Sequence, residues 1–279
     1  VATSGDTGAA AIDAIKGKDN INIFVLHPNN RISKVQRKLM TTGKEKNVFN
    51  IAIEGNFDDC QNLVKAMFAD KSFSNKIKMS GVNSINWARI IAQSVYYFYC
   101  YYLIEDNNNP INFSVPTGNF GDVYAGYLAK KIGLPVNKFI VATNQNDILH
   151  RAISKGTYDV EKVAETISPS MDIQLASNFE RLIYDLNNHN DEKTIKAMKD
   201  IKKNGKYLIS DENLNKINNH FLSSSMNENE VLNIIKNVHS KFDMILDPHT
   251  AIGYGAFDKV KLKGNNIVLA TAHPCKFPD

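Results

Sequence analysis

The chain alternates apolar, strand-like runs with segments of helical period, and this alternation restricts its fold more than any other feature. Near the beginning, residues 21–26 and 48–53 are apolar runs of strand length, and residues 33–40 and 57–68 have the spacing of helices. A β-α-β-α order of this kind predicts an α/β fold in which the parallel strands of an open sheet are joined by right-handed helical crossovers.

The same alternation returns in the second part of the chain. The elements predicted there are a long helix, a strand, a helix and a strand, at residues 87–103, 111–116, 123–132 and 139–143. Residues 191–243 differ, because they are polar, rich in Asn and Lys, and helical in period. We interpret them as a peripheral helical insertion. The α/β pattern then resumes, with a helix near residues 251–258 and a strand at residues 266–271.

Composition excludes several classes of protein. A chain of 279 residues is long enough for roughly two domains, and its net charge of +4 is spread rather than clustered, which does not favour nucleic-acid binding. The longest apolar candidate, residues 90–104, is shorter than the ~18–20 residues that span a bilayer, and we interpret it as a buried helix. The three cysteines are far apart and form no C-x-x-C pair, which favours a reducing compartment over a disulfide framework.

Two glycine-containing turns, SGDTG at residues 4–8 and TGNFGD at residues 117–122, each lie between a strand and a helix. Glycine lets the main chain approach a ligand closely, and the N–H groups at a helix start suit an anion. Either turn is equally consistent with a plain strand-to-helix connection in which a polar side chain caps the helix. The second turn has neither the P-loop nor the dinucleotide fingerprint. Two such turns in one α/β chain favour a ligand that carries phosphate.

Three further motifs place polar side chains where a ligand would lie. In NSINWAR, at residues 83–89, Ser84, Asn86 and Arg89 are able to converge on one anion, although taken alone the motif favours a helix cap with a surface arginine. The strings LDPHTA and TAHPCKF follow late strands, and the carboxyl ends of such strands face the ligand crevice in open α/β sheets. Their histidines lack acidic partners at metal spacing, so we predict no metal site.

Taken together, these motifs resemble threonine synthase, in the branch of the bacterial and fungal enzymes. The matching strings are ATSGDTGAA (2–10), NSINWARI (83–90), VPTGNFGD (115–122), ATNQND (142–147), LDPHTA (246–251) and TAHPCKF (271–277). They follow the order of the family and extend over the chain from end to end, apart from residues 191–243. The presence of all six in order makes the resemblance specific.

The resemblance implies a two-domain, tryptophan-synthase-β-like fold with open parallel sheets and flanking helices. A smaller mobile domain is expected at residues 1–81 and a larger cofactor-binding domain at residues 82–279. The implied cofactor is pyridoxal 5′-phosphate, and the implied reaction converts O-phospho-L-homoserine and water into L-threonine and phosphate. The enzyme is expected to be cytoplasmic, a monomer or homodimer, and to bind a small-molecule substrate, with neither nucleic acid nor membrane as a partner.

Site residues follow from the same resemblance, position by position. The residues implied for the cofactor are Gly118, Asn119, Phe120, Gly121 and Thr271. The first four hold its phosphate through main-chain N–H groups, and Thr271 places a neutral hydroxyl at the pyridine nitrogen. The residues implied for the substrate are Ser4, Asp6, Thr7, Ser84, Asn86 and Arg89. Here the first three receive the substrate carboxylate through hydroxyls and main-chain N–H groups, and the last three hold its phosphate.

The lysine that binds the cofactor covalently in this family lies in a Phe-Lys-Asp segment upstream of the first glycine turn, and the chain contains no such tripeptide. We therefore expect that lysine upstream of Val1, in a longer natural protein, and expect this chain alone to be inactive. Two alternatives stay open: a related phospho-lyase that releases 2-oxobutyrate, and a non-catalytic module that binds phosphate or cofactor. His249, His273 and Lys276 either contact the substrate or shape the loops.

Overall fold

The structure is a computed structural model that describes residues 1–3, 5–105 and 108–277. Its chain divides into two compact units: unit 1 comprises Val1–Asn86 and Cys275–Asp279, and unit 2 comprises Trp87–Pro274. Each unit contains parallel strands flanked by helices, which is the α/β class that the alternation of strands and helices predicts. The domain boundary expected after residue 81 stays a prediction.

Unit 1 is built on two parallel strands, β1 (Ile23–Pro28) and β2 (Val48–Ile53). Its helices are α1 (Asp6–Ile15), α2 (Lys34–Thr41), α3 (Phe57–Ala69) and α4 (Lys71–Lys76). Ala2 adds a parallel bridge to Leu26 of β1, and α1 begins four residues later in the chain. Because α1 begins at Asp6, Asp6 and Thr7 lie in its first turn.

Unit 2 is built on a parallel sheet of four strands in the order β7-β4-β3-β8. The strands of the unit are β3 (Ile111–Pro116), β4 (Val136–Thr143), β5 (Thr157–Asp159), β6 (Lys206–Leu208), β7 (Phe221–Ser225) and β8 (Asn265–Val268). The short β5 and β6 form a separate antiparallel pair. Every residue of β3 is buried, as expected for a central parallel strand covered on both faces.

The helices of unit 2 follow the strands in chain order. They are α5 (Trp87–Tyr102), α6 (Gly121–Lys131), α7 (Ile148–Lys155), α8 (Phe179–Leu186), α9 (Asp191–Asn204), α10 (Asp211–Asn218), α11 (Glu228–Phe242) and α12 (Pro248–Val260). A 3₁₀ turn of unit 2 lies at Pro169–Met171, and another, at Pro274–Lys276, begins with the last residue of unit 2 and continues in unit 1. Rings of Tyr97, Phe139 and Phe221 meet in the core between the sheet and these helices.

Two sequence predictions need correction. Residues 191–243 are mostly helical, but Phe221–Ser225 is a strand of the main sheet, paired with β4, so this segment is not a purely peripheral insertion. The helix α5 is also not buried as predicted: it buries Ile90, Ser94 and Tyr97 and exposes apolar side chains on its other side. In the part of the chain that the structure describes, no helix has the length and apolar character needed to cross a bilayer.

The parallel sheet of unit 2 brings three loops to one edge. All four strands point the same way, so their carboxyl ends lie together, and we call this side the carboxyl edge. β3 leads into residues 117–120, β4 into residues 144–147 and β8 into residues 269–271. Ligands of open α/β sheets bind at such an edge. The predicted strand at residues 266–271 ends early, at Val268, which leaves Thr271 in the loop at this edge.

Candidate functional site

Residues 118–121, the GNFG turn, connect β3 to α6 and are held from several sides. The Thr117 N–H donates to the carbonyl of Ala142 on β4 at 2.8 Å, which fixes the entry to the turn. Phe120 caps α6 in the left-handed conformation, with φ 62° and ψ 9°. This conformation costs a non-glycine residue roughly 1–2 kcal/mol. Burial of its ring against the rings of Phe179 and Phe221 offsets that cost.

Two neighbouring loops fix the other residues of the GNFG turn. The Asn119 carbonyl accepts hydrogen bonds from the main-chain N–H and the side-chain amide of Asn178, at 3.1 and 3.2 Å. Gly118 packs closely against the 3₁₀ turn at Pro169–Met171. A Cβ added at position 118 would lie 2.7 Å from the Ser170 carbonyl oxygen and 3.3 Å from the Met171 Cα. A side chain at position 118 would therefore displace main chain.

The main-chain N–H groups of this turn are available to a ligand. Among the described residues, none of the four N–H groups of Gly118, Asn119, Phe120 and Gly121 has a hydrogen-bond acceptor. They lie at the N-terminus of α6, where the helix dipole favours negative charge. Several successive N–H donors in a turn form a concave anion site. The geometry therefore suits a phosphate group.

Arg89 lies beside the start of α6, next to this turn. Its guanidinium is close enough for its charge to act on the carboxyl of Asp122, the second residue of α6. The Tyr97 hydroxyl lies 2.9 Å from the Asp122 carbonyl oxygen and 3.1 Å from its Oδ1. Burial raises the pKa of Asp122 to about 6, while the Tyr97 hydrogen bond and the Arg89 charge act in the opposite direction. The charge of Arg89 therefore acts on the first turn of the helix that begins at the proposed anion site.

Asp247 organises the carboxyl edge at the start of α12. Its carboxylate accepts hydrogen bonds from the N–H groups of His249 and Thr250, the ring Nδ1 of His249 and the hydroxyl of Thr250. Burial raises the pKa of Asp247, but the hydrogen bonds outweigh it, so the net pKa is lowered. The Thr250 hydroxyl oxygen also accepts from the Thr271 N–H at 3.3 Å. Thr271 itself is exposed, and its hydroxyl has no partner among the described residues.

A second polar network holds residues 164–172, the loop that contains the 3₁₀ turn. The Asn144 side-chain amide lies 2.8 Å from Asp172 Oδ1, and the Thr166 N–H donates to Asp172 Oδ2 at 2.8 Å. Burial raises the pKa of Asp172 to about 6, against the effect of these hydrogen bonds. The Asn146 side chain donates to the carbonyl of Ala164 at 2.9 Å. The end of β4 thus anchors the loop that backs Gly118.

In unit 1, the first glycine turn is held by Thr3, whose hydroxyl oxygen accepts from the N–H groups of Gly5 and Gly8, both at 2.9 Å. Gly5 has φ 126°, which a side chain would strain. The Asp6 carboxylate forms an ion pair with Lys276 at 2.7 Å. Ser4, predicted to bind the substrate carboxylate, lies outside the described residues, and Thr7 is half-buried in the first turn of α1.

The loop before α5 also belongs to unit 1. The Asn83 side chain donates to the Ala2 carbonyl at 3.1 Å, and the Asn86 side chain donates to the Gly81 carbonyl at 2.6 Å. Ser84 and Asn86 therefore lie in a loop that is tied to the bridge preceding the first glycine turn. Of the predicted site residues, Asp6, Thr7, Ser84 and Asn86 belong to unit 1. The GNFG turn, Arg89 and Thr271 belong to unit 2.

Comparison with known proteins identifies the family of this chain. The profile of the family described as pyridoxal-phosphate dependent enzyme matches residues 1–211, which is most of the chain. The chain belongs to the pyridoxal-phosphate dependent enzyme family. Among curated members, threonine synthase of Pseudomonas aeruginosa is 48% identical over 100% of this chain and 60% of its own length. Threonine synthase of Saccharomyces cerevisiae is 43% identical over 100% of this chain and 58% of its own length.

Solved structures of this family have the same fold. A PLP-bound threonine synthase from Brucella melitensis matches with a TM-score of 0.90 at 48% identity, over 99% of this chain and 60% of that one. Threonine synthase from Escherichia coli matches with a TM-score of 0.80 at 32% identity, over 99% of this chain and 58% of that one. The chain therefore has the tryptophan-synthase-β-like α/β fold. It spans about three fifths of the length of the relatives that it matches.

The residues of unit 2 fit the cofactor of the pyridoxal-phosphate dependent enzyme family. The N–H groups of the GNFG turn, which have no acceptor within the described ranges, suit its phosphate. The Thr271 hydroxyl, likewise without a partner there, is of the neutral type that suits a pyridine nitrogen. β3 and β8, whose ends carry these groups, are adjacent in the sheet, and the Leu269 N–H donates to the Ser114 carbonyl at 3.0 Å. Among the described residues, no group of His, Cys, Asp or Glu side chains is arranged to hold a metal ion.

Sequence reasoning did not find the residues that support the turn. Asp247 and His249 lie in a motif that it quoted, but their part in holding the 3₁₀ turn was left open. Ser170 and Asp172 carry no recognisable signal, because their positions follow from tertiary hydrogen bonds across 79 and 28 residues of sequence. A single sequence shows local motifs, but it does not show contacts between segments this far apart.

Proposed function

We propose that this chain is the larger part of a threonine synthase that converts O-phospho-L-homoserine and water into L-threonine and phosphate. The observation that carries the proposal is the GNFG turn at the carboxyl edge of a parallel sheet, whose main-chain N–H groups have no acceptor among the residues that the structure describes. The charge of Arg89 acts on Asp122, the residue that follows the turn. Further support comes from relatives named threonine synthase that match along the whole chain. Because the chain spans three fifths of them, the complete activity belongs to the whole protein.

The cofactor, when bound, supplies the electron sink that makes the α-proton of the amino acid acidic. The residues of this chain bind and orient. The N–H groups of Gly118, Asn119, Phe120 and Gly121 bind the cofactor phosphate. The Thr271 hydroxyl provides a neutral hydrogen-bonding group for the pyridine nitrogen.

The substrate is bound at its two anionic ends. The N-terminus of α1, with Ser4, Asp6 and Thr7, receives the substrate carboxylate through main-chain N–H groups and hydroxyls. The Asp6 carboxylate is paired with Lys276, and this cation offsets its repulsion of the substrate carboxylate. Ser84, Asn86 and Arg89 hold the phosphate that leaves, and the Arg89 guanidinium stabilises its growing charge.

Product analysis of the whole protein tests the proposed reaction. With O-phospho-L-homoserine as substrate, we expect stoichiometric release of phosphate and L-threonine. Release of phosphate with 2-oxobutyrate and ammonia would identify a phospho-lyase instead. Tight cofactor binding with no phosphate release would identify a non-catalytic module, and either result would overturn the proposal.

Substitution of Arg89 in the whole protein tests the phosphate clamp. We expect Arg89→Ala to weaken binding of O-phospho-L-homoserine about 10- to 100-fold, as expected for loss of a charge-assisted hydrogen bond, and to leave L-homoserine binding unchanged. Arg37→Ala, at an exposed position on α2, is the matched control and should change neither. Equal losses for both ligands with Arg89→Ala would remove Arg89 from the clamp.

Borohydride reduction tests the expectation that the covalent lysine lies upstream of Val1. After incubation of this chain with pyridoxal 5′-phosphate, reduction should leave no stoichiometrically labelled lysine on mapping of the peptides. One uniquely labelled lysine would contradict the expectation. Cytoplasmic location and a monomeric or homodimeric state stay predictions from the resemblance, and size-exclusion chromatography with light scattering decides the second.

A further inference from the structure

We infer that His249 is a positioning residue for the cofactor phosphate, acting through Ser170 on the GNFG turn. The inference rests on the proposed function, because it assigns a role inside the same cofactor site. His249 does not touch the phosphate-binding N–H groups; it holds the 3₁₀ turn against which those groups are set. The role follows from a chain of contacts that begins at Asp247 and ends at Gly118.

The first step fixes the protonation of the His249 ring. Its Nε2 accepts a hydrogen bond from the Ser170 main-chain N–H at 3.3 Å, so this nitrogen carries no proton. Its Nδ1 lies 3.0 Å from Asp247 Oδ1 and therefore carries the ring proton that it donates. The ring is buried, 3% exposed, which isolates both contacts from competing water. The buried Asp247 carboxylate thus selects one neutral tautomer of His249, the one whose acceptor faces Ser170.

The second step connects Ser170 to the anion site. The Ser170 carbonyl oxygen is the atom that a Cβ at position 118 would approach to 2.7 Å, so the two main-chain segments are in direct contact there. His249 accepts the hydrogen bond of the Ser170 N–H, and the carbonyl of the same residue contacts Gly118. Release of this hydrogen bond would let the 3₁₀ turn relax and would change the orientation of the Gly118 and Asn119 N–H groups.

Helix capping alone does not explain why residue 249 is a histidine. Asp247 caps α12 through the N–H groups of His249 and Thr250, and both bonds are independent of the side chain at position 249. A histidine is needed only where one group must donate to Asp247 and accept from Ser170 at once. The Thr250 hydroxyl donates to Asp247 and accepts from the Thr271 N–H. Asp247 is therefore connected both to Ser170, behind the GNFG turn, and to Thr271, at the other end of the proposed cofactor site.

Two substitutions test the roles of the two His249 ring nitrogens separately. His249→Gln places an amide oxygen near the position of Nε2 and keeps an acceptor for Ser170, whereas His249→Asn places an amide N–H near Nδ1 and keeps only the donor to Asp247. Both variants remove the ring and keep a polar side chain, so each controls for the packing loss of the other. Asp247→Ala is avoided because it would also remove the helix cap.

The first readout needs no cofactor. Amide hydrogen exchange on the apo chain should speed up about tenfold or more across residues 168–172 and 117–121 in His249→Asn, because the Ser170 N–H loses its acceptor. Exchange in His249→Gln should stay within about threefold of wild type. Equal exchange in the two variants, at these residues, would overturn the inference while leaving the proposed function intact.

The second readout is ligand-specific. Binding of pyridoxal 5′-phosphate, measured by calorimetry, should weaken about tenfold in His249→Asn and little in His249→Gln, whereas binding of pyridoxal, which has no phosphate, should be alike in wild type and both variants. Equal losses for both ligands would indicate general loosening and overturn the inference. Failure of the wild-type chain to bind pyridoxal 5′-phosphate would overturn the proposed cofactor site, and this inference with it.

Discussion

Lys276 Nζ lies 2.7 Å from Asp6 Oδ1, so residues 270 positions apart in sequence form an ion pair within unit 1. Both side chains are about a quarter exposed, at 26% each. The pair neutralises the carboxylate in the first turn of α1, where the proposed substrate carboxylate would otherwise meet a like charge. It also gives Lys276, whose role the sequence left open, a contact inside the protein.

Removal of this ion pair should lower stability modestly. We expect Lys276→Met to reduce the free energy of unfolding by about 1 kcal/mol, because the pair is only partly shielded from water and salt. Urea denaturation at low and high salt measures the effect, which should shrink as salt increases. A double-mutant cycle with Asp6→Asn isolates the pair, and a coupling energy of zero would contradict the prediction.

The raised pKa of Asp122 predicts a pH dependence of stability. Burial raises this pKa from 3.8 to about 6, so the folded chain binds the proton more tightly than the unfolded chain does. Asp122 therefore stabilises the fold below about pH 4 and loses that contribution as pH rises through about 6. Relative to Asp122→Asn, wild type should lose up to about 3 kcal/mol of unfolding free energy between pH 4 and 7. Urea denaturation across this range measures it, and parallel profiles would be evidence against the shift.

A methyl group at position 118 should disturb the proposed anion site. We expect Gly118→Ala to lower the free energy of unfolding by about 1–3 kcal/mol, because its Cβ would meet the Ser170 carbonyl oxygen at 2.7 Å. Affinity for pyridoxal 5′-phosphate should fall with it. Gly43→Ala is the matched control, since a Cβ there meets the end of the Glu45 side chain, which can move. Thermal unfolding and calorimetric titration measure both effects, and equal behaviour of the two variants would refute the close packing at Gly118.

The burial of Phe221 on β7 predicts a large effect of its removal. Its ring is fully buried and lies 5.8 Å from each of the rings of Phe120 and Phe139, measured between ring centroids. We expect Phe221→Ala to lower the free energy of unfolding by about 3–5 kcal/mol. Phe242→Ala, at an exposed ring in the last turn of α11, should change it by no more than about 0.5 kcal/mol. Chemical denaturation compares the two, and similar small effects would argue against β7 as a core strand.

Much of the fold was predictable because the periodicity of its main elements is strong. The bounds of β2 and β3 match the predicted residues 48–53 and 111–116, where nearly unbroken apolar or β-branched runs leave little alternative. β7 was missed because its sequence, FLSSS, ends in three serines and lies between two strongly helical segments. Its strand conformation comes from pairing with β4, a tertiary contact that its own residues do not encode.

The candidate site was predictable only where it is local. The sequence predicted the GNFG turn and the turn at the start of α1, because glycine, a helix start and polar side chains occur there within a few residues. The Asp6–Lys276 pair and the bond from Ser170 to His249 were not, since each joins distant segments. For α5, the sequence predicted burial from apolar content alone, whereas the helix buries one side and exposes the other.

Phe120 has one further consequence. The same residue gives the GNFG turn its left-handed step and places its ring among the aromatic side chains between the sheet and α8. Any change in the volume of those rings during evolution would be transmitted to the backbone that is proposed to bind the cofactor phosphate. Coenzyme retention should therefore covary with aromatic substitutions that lie well away from the ligand.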